Sequence, residues 1–222
     1  NAVVDFSTTR ENFTTALKGL QTPLVVMPGF IAANAAGITT TLGRGGSDYT
    51  AAIAADCVDA SRLEIWTDVS GMMTADPRWV NNAKVIPSIS YQEAMELSHF
   101  GAKVIYPPTI QPVMNKNIPV WIKNTFAPED AGTVIKNDTT DHGNPVRGIS
   151  SINNLALLSL EGSGMVGVPG FSRRLFEALS GRQINVILIT QGSSEHSICV
   201  GIDIAAADNA KQAVDEAFAP EI

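Results

Sequence analysis

The sequence is poor in the features that most quickly assign a function class. It has two cysteines, Cys57 and Cys199. They fall in a predicted helix and a predicted strand of different domains, so two reduced, buried thiols are expected rather than a disulfide framework. No run approaches the 18 or more apolar residues of a membrane span, and no signal-peptide pattern opens the chain, which points to a soluble, cytoplasmic protein. No basic cluster is longer than Arg173-Arg174, and the net charge is -7. Nucleic acid and anionic membranes are therefore poor partners. His142 has no cysteine or histidine near it in sequence, so no metal site is expected there. What remains is ordinary globular composition, 45% hydrophobic and 17% charged over 222 residues, enough for one large domain or two modest ones.

The most informative stretch is TTTLGRGGSDYT at 39 to 50. A β-branched run breaks into glycines around Arg44 and enters an alanine-rich segment, which predicts strand, glycine turn and helix start. Gly43, Gly45 and Gly46 permit positive φ and close approach of backbone N–H groups, and the helix N-terminus adds partial positive charge. Arg44 brings a planar fork suited to a carboxylate or a pair of phosphate oxygens, and Asp48 puts a carboxylate at the same corner. The stretch by itself also fits a tight turn with a Ser47 or Asp48 cap and an exposed arginine. A dinucleotide fingerprint would need a glycine where Asp48 stands, and a P-loop would need a lysine, so neither is present.

Upstream, Thr8 to Leu20 has helical spacing, and LVVMPGF reads as a buried strand ended by Pro28-Gly29. Phe30 then stands at its carboxyl end, as a ligand contact or a core residue. Tyr49 to Ala60 predicts a helix and Leu63 to Trp66 a strand. Thr67 and Asp68 at that strand's end suit a nucleotide, although Asp68 equally suits a cap or Asx turn. Ser90 and Glu93 have capping-box spacing, Ala94 and Leu97 share a helix face, and Gly101 is placed to end that helix. Ile110 to Met114 predicts a short helix and Ile118 to Ile122 a strand.

Residues 136–145 are polar, aperiodic and end in glycine and proline, which reads as a linker between a first domain at 1–135 and a second at 146–222. A short strand is expected at 146–150. The second domain then reads strand (Leu155 to Leu160), helix (Pro169 to Gly181), strand (Ile184 to Thr190), strand (His196 to Ile204), helix (Asp208 to Phe218). Apolar stripes at Phe171, Leu175, Leu179 and at Val214, Phe218 put both helices on one face of an antiparallel sheet. This is a ferredoxin-like α+β order short of its last strand.

GRGGSDYTAA, EIWTDVSG (64 to 71), DPR (76 to 78), YQEAMELSHFGAKV (91 to 104) and IPVWIKNTF (118 to 126) stand in the order of the aspartate kinase signature. The chain resembles that family over essentially its whole length. MVGVPGF (165 to 171) and LITQGSSEHSICV (188 to 200) are similar to the bifunctional aspartate kinase-homoserine dehydrogenases. The resemblance implies an α/β fold: the C-terminal part of a three-layer αβα amino-acid-kinase domain, followed by an ACT domain through which the protein would form homo-oligomers. It implies transfer of the ATP γ-phosphoryl group to the side-chain carboxylate of L-aspartate, the first step of aspartate-family amino-acid biosynthesis, with Mg²⁺ bound mostly through phosphates.

In that frame Arg44 clamps the substrate α-carboxylate, with Phe30, Gly45 and Ser47 around it, and Asp48 orients a lysine. Thr67, Asp68, Arg78 and Lys103 meet the nucleotide. Met165, Gly170, Gln191 and Ser193 hold an effector, and Ile187, where lysine-sensing relatives place an aspartate, points to threonine. The family's lysine- and glycine-containing loop has no counterpart before Thr39, so the chain reads as part of a longer enzyme, inactive alone. The alternative is a regulatory amino-acid-binding module without catalysis of its own. Two positions depart from the family pattern: Met73 stands for an aromatic residue, and Tyr106 for a histidine before proline.

Overall fold

The computed structural model describes residues 3–99, 104–137, 146–192 and 196–219, with Ser163 described by its backbone alone. The chain divides into two compact units, Asn1–Ser151 and Ile152–Ile222. Among the described residues no helix is long and apolar enough to cross a membrane.

The first unit is a mixed α/β structure. Helix α1, Phe6–Lys18, starts on Asp5, whose carboxylate accepts from the Thr8 N–H at 3.1 Å and satisfies a donor the helix leaves orphaned. Strands β1 (Ile31–Ala33) and β2 (Thr39–Thr41) pair as an antiparallel hairpin. Helix α2 (Gly46–Cys57) leads to β3 (Leu63–Thr67), β4 (Ser88–Ser90), α3 (Tyr91–His99), α4 (Pro107–Asn115), β5 (Val120–Asn124) and β6 (Thr133–Lys136). The sheet order is β3-β5-β6-β4, with β3–β5 and β4–β6 parallel and β5–β6 antiparallel. Alternate residues supply its core: Leu63, Ile65, Val120, Ile122, Ile89 and Ile135 are all buried. The capping box forms as its spacing predicts: the Ser90 N–H donates to Glu93 Oε2 at 2.9 Å, and the Glu93 N–H to Ser90 Oγ at 3.1 Å.

Three expectations need correction. Leu24 to Met27 forms no strand: no described strand lies beside the run to satisfy its backbone, and Leu24 and Val26 are 72% and 88% exposed. Helix α2 begins earlier than read: Gly45 in the left-handed region is its N-cap, with no side-chain cap from Ser47 or Asp48. Residues 146–150 form no strand and lie on the first unit. There the Ile149 N–H donates to the Thr74 carbonyl at 2.8 Å and Arg147 pairs with Glu93 at 3.4 Å.

Asp56 ties the helices of this unit together. It is buried in the last turn of α2, where the helix dipole disfavours a carboxylate. Arg10 of α1 pairs with it at 2.7 Å, and Lys116, just beyond α4, lies 3.6 Å from its carboxylate and donates to its backbone carbonyl at 2.6 Å. Two cations offset one badly placed anion, and three helices are joined as a result.

In the second unit, β7 (Leu155–Glu161), α5 (Phe171–Gly181), β8 (Val186–Gln191), β9 (Ser197–Asp203) and α6 (Ala207–Ala217) follow the predicted order. The antiparallel sheet runs β7-β9-β8. Leu175 and Leu179 of α5, Val214 of α6 and Phe218 just beyond it pack with Ile198, Val200 and Ile202 of β9, so both helices cover one face. Leu157 and Leu188 remain exposed, at 66% and 41%.

Tyr91 supplies a test of the first core. Its side chain is 1% exposed, its hydroxyl donates to the Ile118 carbonyl, and burial pushes its pKa up from 10.0 to about 12. The folded state therefore holds the proton more tightly than the unfolded chain does. This contribution is complete below pH 10.0 and is lost as the pH climbs to about 12. Tyr91→Phe should cost about 1 kcal/mol at pH 8, where the Ile118 carbonyl loses its donor. Denaturant melts of both proteins should show this gap closing between pH 10 and 12; a gap that stays constant with pH would refute the assignment.

Candidate functional site

The corner before α2 is built by backbone segments that pack where side chains would not fit. Gly45 has φ 67°, and a Cβ on it would stand 2.8 Å from Tyr106 Cβ. A Cβ on Gly46 would stand 2.7 Å from Phe30 Cδ2, and one on Gly29 3.0 Å from Ser47 Cα. Phe30 itself has φ 73°, a costly conformation for a residue with a side chain. Its N–H donates to Thr50 Oγ1 at 2.9 Å and its carbonyl accepts from the Leu42 N–H at 2.9 Å. Thr50 in turn donates to the Gly46 carbonyl at 2.8 Å, so the first turn of α2 fixes Phe30 over the glycines.

Phe30, Arg44, Gly45, Ser47 and Asp48 thus share one corner, with Arg44 and Ser47 exposed. The Arg44 guanidinium carbon lies 6.0 Å from the centre of the Tyr106 ring. Asp48 sits half-buried in the first turn of α2, where burial raises its carboxyl pKa. Among the described residues no hydrogen bond or ion pair engages it. A desolvated carboxylate without a partner gains from any cation brought against it.

A second cluster forms where the parallel strands β3 and β5 end side by side, the edge at which open α/β sheets take ligands. Thr67 is in register with Asn124, and its hydroxyl donates to Asp68 Oδ1 at 3.1 Å. Asn124 Nδ2 donates to Ser70 Oγ at 2.9 Å, and Lys123 Nζ lies 5.1 Å from the Trp66 ring centre. Sequence reasoning passed over Ser70, Lys123 and Asn124, because only the β3–β5 register shows that two distant motifs end together. Arg78 is engaged within its own loop, pairing with Asp76 at 2.6 Å, which raises the arginine pKa and lowers that of the aspartate. Lys103 lies outside the described residues.

In the second unit a pocket of about 350 Å³ opens at the start of α5. Met165, Gly170 and Gln191 line it together, along with Val168, Phe171 and Ile198. Gly170 caps α5 in a left-handed conformation with φ 108°, leaving the helix N-terminus facing the pocket. Ile187 does not line it. That residue falls at the register irregularity between Val186 and Leu188. Ser193 and His142 lie outside the described residues.

Comparison with known proteins assigns both units. The model of the amino acid kinase family matches residues 2–124 and that of the ACT domain residues 158–218. The bifunctional aspartokinase/homoserine dehydrogenase of Haemophilus influenzae is 48% identical over 199 residues, 90% of this chain and 24% of that protein. The lysine-sensitive aspartokinase 3 of Escherichia coli is 43% identical over 189 residues, 84% of this chain and 41% of that protein. The chain therefore spans about a quarter of the Haemophilus relative's length. Among solved structures, Escherichia coli aspartokinase III in complex with lysine and aspartate superposes with a TM-score of 0.73 at 37% identity, over 99% of this chain and 49% of that one. The same enzyme with aspartate and ADP gives 0.64 at 27% identity, over 98% and 67%. With more than half its length matched by the family model, the chain belongs to the amino acid kinase family and carries an ACT domain behind its kinase unit.

Proposed function

We propose that the protein containing this chain transfers the γ-phosphoryl group of ATP to the side-chain carboxylate of L-aspartate, under control of an amino acid bound by the ACT unit. The observation that carries the reading is the corner at α2, where an exposed arginine and a carboxylate that has no partner among the described residues flank a glycine-capped helix N-terminus. An amino-acid substrate presents the complement of that pattern: an α-carboxylate for Arg44, Ser47 and the helix N-terminus. Phosphoryl transfer asks the protein for positioning and charge neutralisation rather than covalent chemistry. Asp48 has the environment to seat and orient a cationic side chain opposite the transferring group. Thr67 and Asp68 at the end of β3 offer hydrogen bonds to a nucleotide; Arg78 would have to release Asp76 to join them.

Mg²⁺ accompanies ATP in this reading. Among the described residues no three His, Cys, Asp or Glu side chains converge as a cage, and a magnesium ion held chiefly by phosphate oxygens and water asks for none. The solved relatives with aspartate and ADP, and with lysine and aspartate, support the substrate pair and an amino-acid effector. We read that effector as threonine. No acidic side chain lines the α5 pocket among the described residues, so a lysine ammonium would find no charge partner there, whereas Gln191 can both donate to and accept from a hydroxyl. Association of ACT units between copies belongs to the same proposal and would cover the exposed Leu157 and Leu188.

Arg44→Ala should lower kcat/KM for aspartate by about 2–5 kcal/mol in the full-length protein, the usual result of stranding one partner of a desolvated charge pair. The KM for ATP should change far less. Steady-state kinetics with each substrate varied decides this, and a loss confined to ATP would move Arg44 to the phosphate site.

Calorimetric titration tests the effector. Threonine should bind more tightly than lysine, and Gln191→Ala should weaken threonine by about 0.5–1.5 kcal/mol, the net worth of one hydrogen bond. Tighter binding of lysine, or threonine binding indifferent to Gln191, would refute the assignment.

A further inference from the structure

Tyr106 stands apart from every role assigned so far, yet it makes two independent contacts with the substrate corner. Its ring centre lies 6.0 Å from the Arg44 guanidinium carbon, within reach of a cation–π interaction. Its Cβ and Cδ1 stand 2.8 and 3.2 Å from where a Cβ on Gly45 would be, so the ring root packs directly on the peptide that follows Arg44. We propose that Tyr106 is a positioning residue: it forms a rigid floor under the arginine turn and stacks on one face of the Arg44 guanidinium, leaving the edge of that group for a substrate carboxylate.

The backbone around Tyr106 is suited to this. It is the N-cap of α4, with φ -87° and ψ 118°, and Pro107 and Pro108 follow it. A proline successor confines its backbone to extended conformations, and its carbonyl accepts from the Thr109 N–H at 2.8 Å and from Thr109 Oγ1 at 2.6 Å. Ile110 and Val113, one turn on, are 0% exposed and anchor α4 in the core. The ring is therefore carried on a fixed mount, while the long side chain of Arg44 is exposed and mobile unless something holds it. A guanidinium uses its face for stacking and its edge for paired N–H donors, so the two contacts do not compete. Stacking removes rotamers that the arginine would otherwise have to give up on binding, and this favours the substrate bound through Arg44 alone.

The substrate consequence rests on reading Arg44 as the carboxylate clamp, whereas the ordering of Arg44 does not, and the experiment separates them. In the full-length protein, Tyr106→Leu should raise the KM for aspartate about three- to fivefold, the worth of a partly exposed cation–π contact, with kcat and the KM for ATP little changed. Tyr106→Phe, which keeps the ring, should retain the wild-type KM. Tyr106→Met, which keeps bulk over Gly45 without a π face, should behave as Tyr106→Leu and serves if that variant does not fold. Without substrate, the rate at which phenylglyoxal modifies Arg44, followed by peptide mapping, should rise in the Leu and Met variants and not in the Phe variant. If the wild-type protein does not use aspartate, the kinase reading fails and the Arg44 modification rate alone decides the role of Tyr106. An unchanged modification rate in both ring-less variants would overturn the proposal. So would an undiminished Tyr106→Leu effect in an Arg44→Ala background, because a positioning effect must vanish with its target.

Discussion

At Gly45 and Gly46 the first turn of α2 comes so close to Tyr106 and Phe30 that there is no space for a methyl group at either position. The rest of the kinase-unit site follows from that approach. It lets Gly45 cap the helix at φ 67°, which turns Arg44 outward at the end of β2 while the helix N-terminus points toward the same corner. It also holds Phe30 in a left-handed conformation that its own side chain disfavours, through hydrogen bonds to Thr50 and Leu42. A side chain at either glycine would collide with Tyr106 or Phe30 at this corner, while the buried residues of the sheet lie elsewhere.

The two carboxylates of α2 show how one helix separates structure from chemistry. Asp56 lies at its C-terminal end, where the dipole opposes it, and is matched by Arg10 and Lys116. Asp48 lies at its N-terminal end, where the dipole favours an anion, and burial rather than a partner governs it. The paired aspartate fastens three helices. The other, which no side chain pairs among the described residues, would on the reading proposed above be the one available to a cation that arrives with the reaction.

The fold was legible where pattern and local chemistry coincide. The capping box at Ser90 and Glu93, the stripe at Leu175 and Leu179, and the βαββα order of the second unit were all readable because each rests on residues near one another in sequence. The site was legible where a motif is contiguous, as in GRGGSDYT, and obscure where it is assembled. Lys123 and Asn124 join Thr67 only through the β3–β5 register, and Tyr106 joins Arg44 only because α4 packs its N-cap onto Gly45. Leu24 to Met27 misled for a related reason: an apolar run records that a segment can be buried, not which neighbour buries it.

The two units share one local device. Gly45 caps α2 and Gly170 caps α5, both in the left-handed region, and the second helix N-terminus opens onto a pocket. On the reading proposed above, that end of each helix would take an α-carboxylate, which substrate and effector amino acids share, and so would contribute affinity without choosing between them. On that reading, discrimination would have to come from what faces the ligand side chain, which in the ACT unit includes Gln191 and Met165 of the pocket lining. The glycines differ in one respect. A Cβ on Gly45 would collide with Tyr106, whereas a Cβ on Gly170 would meet nothing within 4 Å, so Gly170 is required by its φ of 108° alone. Conformation alone therefore selects glycine at 170, and conformation and packing together select it at 45.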